Sequence, residues 1–277
     1  MYQPFTLSCV MDVDFIHNER DETPAVLKLY DRRFASQLRS DYSIDPWALE
    51  HENAFTEFVR SGGAEQFLKS LRDDDDFCEP EDGWDIAENE AFLHWLCLKM
   101  YKTENSVYTR LRKYQGTRIP RLLAQVSLKL ECPNAEPKFA AFGIKGILLE
   151  LIPGFTLAQM ELNVPRRSWQ IVVDKAIEVV HILSDHDILN QDVRPSNILV
   201  SMDKTSDHGY RVVMIDFAQC RFRTNDESDL EWGRVKWSQD EEGAIGMVMQ
   251  SRLKKLGFDL KYRNSMRFWK WAERDAV

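Results

Sequence analysis

Hydrophobic and polar positions alternate in FTLSCVMDVDFI (5–16) and again in AVLKLY (25–30), predicting two strands joined by the polar turn HNERDETP (17–24). Residues 31–92 lose that alternation. Helical patterns at about 46–60 and 86–100 flank an acidic run, Asp73 to Asp76, followed by Glu79, Pro80, Glu81, Asp82 and Gly83. Mutual repulsion keeps such a run solvated, so the run reads as a loop and the stretch as an insertion, about 34–92. Met100, Val107, Tyr108 and Leu111 predict a helix from Lys99 to Gln115, stopped by Gly116. Ile119-Pro120 opens a strand-rich section, LLAQVSLKLE and then GILLELI, which Pro153-Gly154 breaks. A helix over 168–186 turns Ile171, Val172, Val173, Ala176, Ile177, Val180 and Leu183 inward. Two short apolar runs, ILV (198–200) and VVMI (212–215), predict a buried hairpin whose turn ends in Gly209. Helical patterns at 239–256 and around 263–274 follow. Neither an internal repeat nor a low-complexity tract is evident.

Composition narrows the class without naming it. The chain has 277 residues, 44% hydrophobic and 29% charged, enough for one large domain or two small lobes. Its net charge of −9 repels polyanions, so neither nucleic acid nor an anionic membrane is an expected partner. Cys9, Cys78, Cys97, Cys132 and Cys220 form no metal or disulfide pattern and suit a reducing compartment. Met1 to Phe15 lacks the basic and apolar blocks of a secretory signal, and no apolar run is long enough to span a bilayer. A cytoplasmic or nuclear, non-secreted protein is expected.

The segment Asn190-Gln191-Asp192-Val193-Arg194-Pro195-Ser196-Asn197 follows the long helix and precedes a buried strand, with an Asp and an Asn five residues apart. Nineteen residues after Asn197, another strand ends in Asp216-Phe217-Ala218. Taken singly, these residues are ordinary turn formers. Together they resemble the catalytic loop and metal-binding motif of the protein-kinase superfamily, Asp-x-x-x-x-Asn followed by Asp-Phe-Gly.

That resemblance implies an α+β, two-lobed protein-kinase-like fold, with a small antiparallel-sheet lobe over 1–152 and a shortened, mainly helical lobe over 153–277. It implies ATP and Mg²⁺ as cofactors. Asp192 would orient or deprotonate an acceptor hydroxyl, Asn197 and Asp216 would hold Mg²⁺, and Arg194 would steady the transferring phosphate, a place usually held by Lys. Lys28, in Ala25-Val26-Leu27-Lys28, matches the strand lysine that pairs with the α/β-phosphates. Its glutamate partner is expected to be Glu104, with Glu88 and Glu90 as rivals. Leu148 to Gly154 resembles the hinge, where Glu150 and Ile152 would meet the adenine edge and Leu149 would guard the back pocket. Asp240 resembles the aspartate that braces the catalytic loop, although it is equally an ordinary helix cap. Across nearly the whole chain, AVLKLYDRRFA, the acidic insertion and QGTRIPRL are similar to a group of kinase-like proteins from fungi. The hinge and short second lobe also resemble aminoglycoside and choline kinases.

The pattern departs from that family in places. No glycine precedes Gly62, so a glycine-rich phosphate-covering loop is missing. Asn190 and Gln191 replace His-Arg, and Ala218 replaces the last glycine of the metal motif. No Ala-Pro-Glu follows, and little chain remains after 256 for docking a peptide. The expected activity is therefore phosphoryl transfer to a protein Ser/Thr or a small-molecule hydroxyl; the alternative is a pseudokinase that binds ATP or a partner protein without catalysis. A third reading takes the basic and aromatic residues of 252–274 as a nucleic-acid surface. A helix burying those aromatics against the second lobe is the expected arrangement instead.

Overall fold

In the computed structural model the described residues are 7–17, 21–74, 77–81, 83–128, 142–206 and 208–272. They form an α+β protein with antiparallel sheets, divided into two compact units: residues 1–102 with 122–151, and residues 103–121 with 152–277.

The first unit is built on a four-stranded antiparallel sheet. β1 (Cys9–His17) and β2 (Asp21–Tyr30) pair along their whole lengths. β2 begins at Asp21, so the second half of the expected turn HNERDETP is already strand. β4 (Ile144–Glu150) sits between β2 and β3 (Leu122–Leu128), giving the order β1-β2-β4-β3. Its central place explains its nearly unbroken apolar run, since both faces are covered. Gly146 allows a close approach there: a Cβ on it would lie 2.7 Å from the Lys28 carbonyl oxygen on β2. Of the stretch LLAQVSLKLE, Leu122 to Leu128 are strand, and the rest of it lies outside the described residues together with the expected Pro133-Asn134 turn.

Residues 31–92 fold as a helical layer of the same unit. α1 (Ser36–Asp41), α2 (Leu49–Ser61) and α3 (Gly63–Asp73) precede the long α4 (Ile86–Arg110). Gly62, at φ +83°, ends α2 and lets α3 turn back against it. Asp85 and Glu88 exchange backbone–side-chain hydrogen bonds (2.8 and 3.0 Å) and so cap α4. The two helices expected at 86–100 and 99–115 are one continuous helix, closed by a short 3-10 turn and by Gly116 at φ +79°. The layer has its own core of Phe55, Val59, Ala64, Phe67, Ala91 and Phe92, joined by Phe142 from beyond β3. Asp73 and Asp74, the described part of the acidic run, are exposed as expected.

The second unit centres on α6 (Trp169–Ser184), which follows the short β5 (Phe155–Thr156) and α5 (Met160–Asn163). Val172, Val173, Ala176, Val179, Val180 and Leu183 of α6 are buried. β6 (Ile188–Asn190) pairs with β9 (Cys220–Phe222), and β7 (Ile198–Met202) with β8 (Tyr210–Met214), both antiparallel. Gly154 lies so close to β7 that a Cβ on it would come within 2.2 Å of the Val200 carbonyl oxygen. Residues 103–121 group here through specific contacts. The Met214 N–H donates to the Arg118 carbonyl (3.0 Å), and the Tyr108 ring meets Phe217 edge-on at 5.6 Å. α7 (Asp229–Gln239) and α8 (Gly243–Lys255) complete the unit.

Among the described residues the helix expected around 263–274 does not form. Met266 adopts φ +57°, and only a 3-10 turn, Trp269–Trp271, is present. Upstream, Phe258 meets Trp169 of α6 and Tyr262 lies against Gly246 of α8, while Phe268, Trp269 and Trp271 all lie against α7. Among the described residues, no helix is long and apolar enough to cross a membrane.

Candidate functional site

In the second unit the chain leaves α6, passes Asp187 at φ +54°, and enters β6. Asn190 ends that strand fully buried. Its Oδ1 accepts the Asp192 N–H (2.9 Å), which fixes the turn that presents the aspartate. Pro195 opens a 3-10 turn, Pro195–Asn197, and its fixed φ preorganises the entry into β7. Asn197 is buried at the start of that strand, and its Nδ2 donates both to the Asp192 carbonyl (2.9 Å) and to Asp192 Oδ2 (2.8 Å). Arg194 Nη2 lies 3.1 Å from the same Oδ2.

Asp216 is held next to this loop by the β7–β8 hairpin. The Ile215 N–H donates to the Asn197 carbonyl (2.9 Å), so the residue after Ile215 emerges beside Asn197. Asp216 has φ +65°, a left-handed conformation that costs a non-glycine residue about 1–2 kcal/mol. Buried Phe217 and Ala218 anchor the chain immediately beyond it. The structure thus brings Asp192, Arg194 and Asn197 of one loop together with Asp216, which follows β8, at one end of the β7–β8 hairpin.

The donor set suits a hard divalent cation. Both amide hydrogens of Asn197 are committed to Asp192, so its Oδ1 is the atom it offers, alongside the Asp216 carboxylate. Among the described residues no cluster of three or more His, Cys, Asp or Glu forms a metal cage. Mg²⁺ needs no such cage, because it is commonly held by one or two protein oxygens together with water and phosphates.

The loop is braced from below by a residue that the sequence did not single out. Glu241, 3% exposed, accepts the Asn190 N–H on Oε1 (2.8 Å) and forms an ion pair with Lys236 on Oε2. Lys236 also donates to the Ile188 carbonyl (3.0 Å) and lies between the Trp232 and Phe268 rings. Burial pushes the Glu241 carboxyl up and the Lys236 ammonium down, each opposed by its partner's charge. Asp240 does not brace the loop. It sits at φ +40° and accepts the Gly243 N–H (3.1 Å) and Asn264 Nδ2 (2.9 Å), a local capping role.

The remaining expected residues belong to other elements. Lys28, on β2 opposite Ile147 of β4, is 5% exposed, with its ammonium 5.5 Å from the Tyr30 ring centroid. Leu149 and Glu150 pair with Val26 and Ala25 of β2, and Ile152 is buried just past the strand. Glu104 is wholly buried in α4. Its rivals are engaged elsewhere: Glu88 in the α4 cap, Glu90 with Arg32 (3.2 Å) and Arg39 (2.7 Å). Compared with protein-family models and with curated proteins, the chain matches none.

Proposed function

We propose that this chain is a phosphotransferase of protein-kinase-like, two-lobed architecture, using ATP with Mg²⁺ and transferring the γ-phosphoryl group to a protein Ser/Thr or small-molecule hydroxyl. The observation that carries the reading is the grouping of Asp192, Asn197 and Asp216 around one hairpin end, with Asp216 held in a strained conformation. On this reading Asp192 accepts the proton of the acceptor hydroxyl as its oxygen attacks the γ-phosphorus, and the bond to the ADP oxygen breaks. Arg194, 55% exposed, is free to swing from Asp192 to the transferring phosphate. Asn197 and Asp216 would hold Mg²⁺, which when bound neutralises charge developing on the phosphate oxygens.

Lys28 would pair with the α/β-phosphates, oriented by Glu104. Leu149, Glu150 and Ile152 would receive the adenine. Burial of the Lys28 side chain supports that role, since a surface lysine would be expected to extend into water. The test is thermal stabilisation and γ-phosphate turnover with Mg·ATP in the wild type, Asp192→Asn and Asp216→Asn. Stabilisation lost in Asp216→Asn and turnover lost in both are expected. Stabilisation of the wild type with no turnover would make the chain a pseudokinase, and no response to nucleotide would refute both.

A further inference from the structure

Charge is distributed very unevenly along the chain. Residues 31–92 contain six Lys or Arg and seventeen Asp or Glu, a net of −11, which leaves +2 for everything else. Within that layer the stretch joining α1 to α2 displays large apolar side chains to solvent: Tyr42 is 49% exposed, Trp47 37% and Leu49 68%. Asp41, Asp45 and Glu50, also exposed, alternate with them.

The display is rigidly built. Ser43 adopts φ +55°, and the Ile44 N–H returns to the Arg39 carbonyl (2.8 Å). Buried Arg39 donates to the Asp45 carbonyl (2.9 Å) while paired to Glu90. The Ala48 N–H donates to His51 Nδ1 (3.1 Å). Tyr42 rests edge-on against Phe92 at 4.9 Å, and Trp47 Nε1 donates to Glu52 (3.4 Å). Each ring is therefore anchored on one side and open on the other. A surface held this way has already lost the side-chain and loop entropy that docking would otherwise cost. Tyr and Trp are also the residue types that dominate binding energy at interfaces.

We propose that the 41–50 face is a docking site for a basic, amphipathic protein segment, whose apolar side chains meet Tyr42, Trp47 and Leu49 and whose Lys or Arg meet Asp41, Asp45 and Glu50. Charge selects the partner. The field of this layer repels phosphate backbones and anionic lipid, and it attracts cationic peptide. The apolar trio separates such a partner from a merely cationic one.

The test uses the full chain and a synthetic amphipathic helix of Lys and Leu, followed by fluorescence anisotropy at low and high salt. Saturable, salt-weakened binding is expected. It should fall at least about tenfold in Tyr42→Ser/Trp47→Ser/Leu49→Ser, and its salt dependence should shrink in Asp41→Asn/Asp45→Asn/Glu50→Gln. Should the triple apolar variant fold poorly, Leu49→Ser alone and hydrogen-exchange protection of 41–50 on peptide addition give the same decision. Equal binding of a peptide with every Leu replaced by Ser would overturn the proposal. So would undiminished binding by the apolar variant, or no saturable binding by the wild type.

Discussion

Removing the charge of Glu241 while keeping its shape isolates the brace beneath the candidate loop. In Glu241→Gln the amide oxygen can still accept the Asn190 N–H, but Lys236, whose side chain is wholly buried, loses its counter-charge. Breaking one side of such a buried pair costs about 3–5 kcal/mol, because a charge is left in a poorly polarisable interior. Glu241→Ala also orphans the Asn190 N–H and adds about 1–3 kcal/mol. Removing both charges in Lys236→Met/Glu241→Gln should return most of the loss, leaving the cost of an unpaired Ile188 carbonyl, about 1–3 kcal/mol. Urea unfolding followed by circular dichroism measures the series, and hydrogen exchange at Asn190 and Asp192 reports the loop directly. Faster exchange there in Glu241→Gln, partly restored in the double variant, is the expected pattern. A Gln variant within about 0.5 kcal/mol of wild type, or a double variant worse than either single, would refute this account of the brace.

Two further predictions concern the same unit. Burial pushes the Glu242 carboxyl up, but hydrogen bonds from His181 and Ser265 outweigh it and leave the group below its ordinary range. A carboxyl lowered on folding contributes stability above its unfolded value, about 4.3, and loses it as pH falls through the lowered folded value. Wild-type unfolding free energy should therefore fall more steeply below about pH 5 than that of Glu242→Gln, measured by urea titration at successive pH values. Equal slopes would remove Glu242 from the acid response. Gly154→Ala should cost more than Gly209→Ala in thermal unfolding, since the first drives a Cβ against the Val200 backbone while the second meets only the φ +74° penalty, about 1–2 kcal/mol.

The elements that could be read from the chain are those whose own periodicity matches their burial. β1, β2, α6 and the β7–β8 hairpin each carry an apolar pattern that needs no distant partner to interpret. α7 has a weak apolar face interrupted by Gly233, and was missed, although Ser228 and Glu231 form the reciprocal cap that marks a helix start. α3 lies between the helix expected at 46–60 and the acidic run, and it is not among the expected elements. The expected helix at 263–274 shows the opposite error: Phe268, Trp269 and Trp271 do meet one helix, α7, but Met266 at φ +57° takes the chain out of helical geometry. The insertion's core was hidden for another reason: Phe142 joins Phe55 and Phe92 from far along the chain, and no local pattern encodes that meeting.

At the site, the loop residues were legible through their resemblance to the kinase motif, and Asn197 does reach Asp192. What spacing could not decide was which of three consecutive acids, Asp240, Glu241 and Glu242, turns inward. Asp240 takes a left-handed conformation before α8 begins, and that rotation sends Glu241 toward Asn190. Asn190 stands where the motif that the loop resembles has His. In the fold its side chain accepts the Asp192 N–H, while its backbone N–H is held by a buried ion pair. The Asn190 amide oxygen accepts one hydrogen bond of this turn and the Glu241 carboxylate accepts another, so both ends of the turn are held. Asp192 is therefore supported in a loop that has no His-Arg pair. That support rests on Asn190, Glu241 and Lys236, and substitution of those three is what should disturb Asp192.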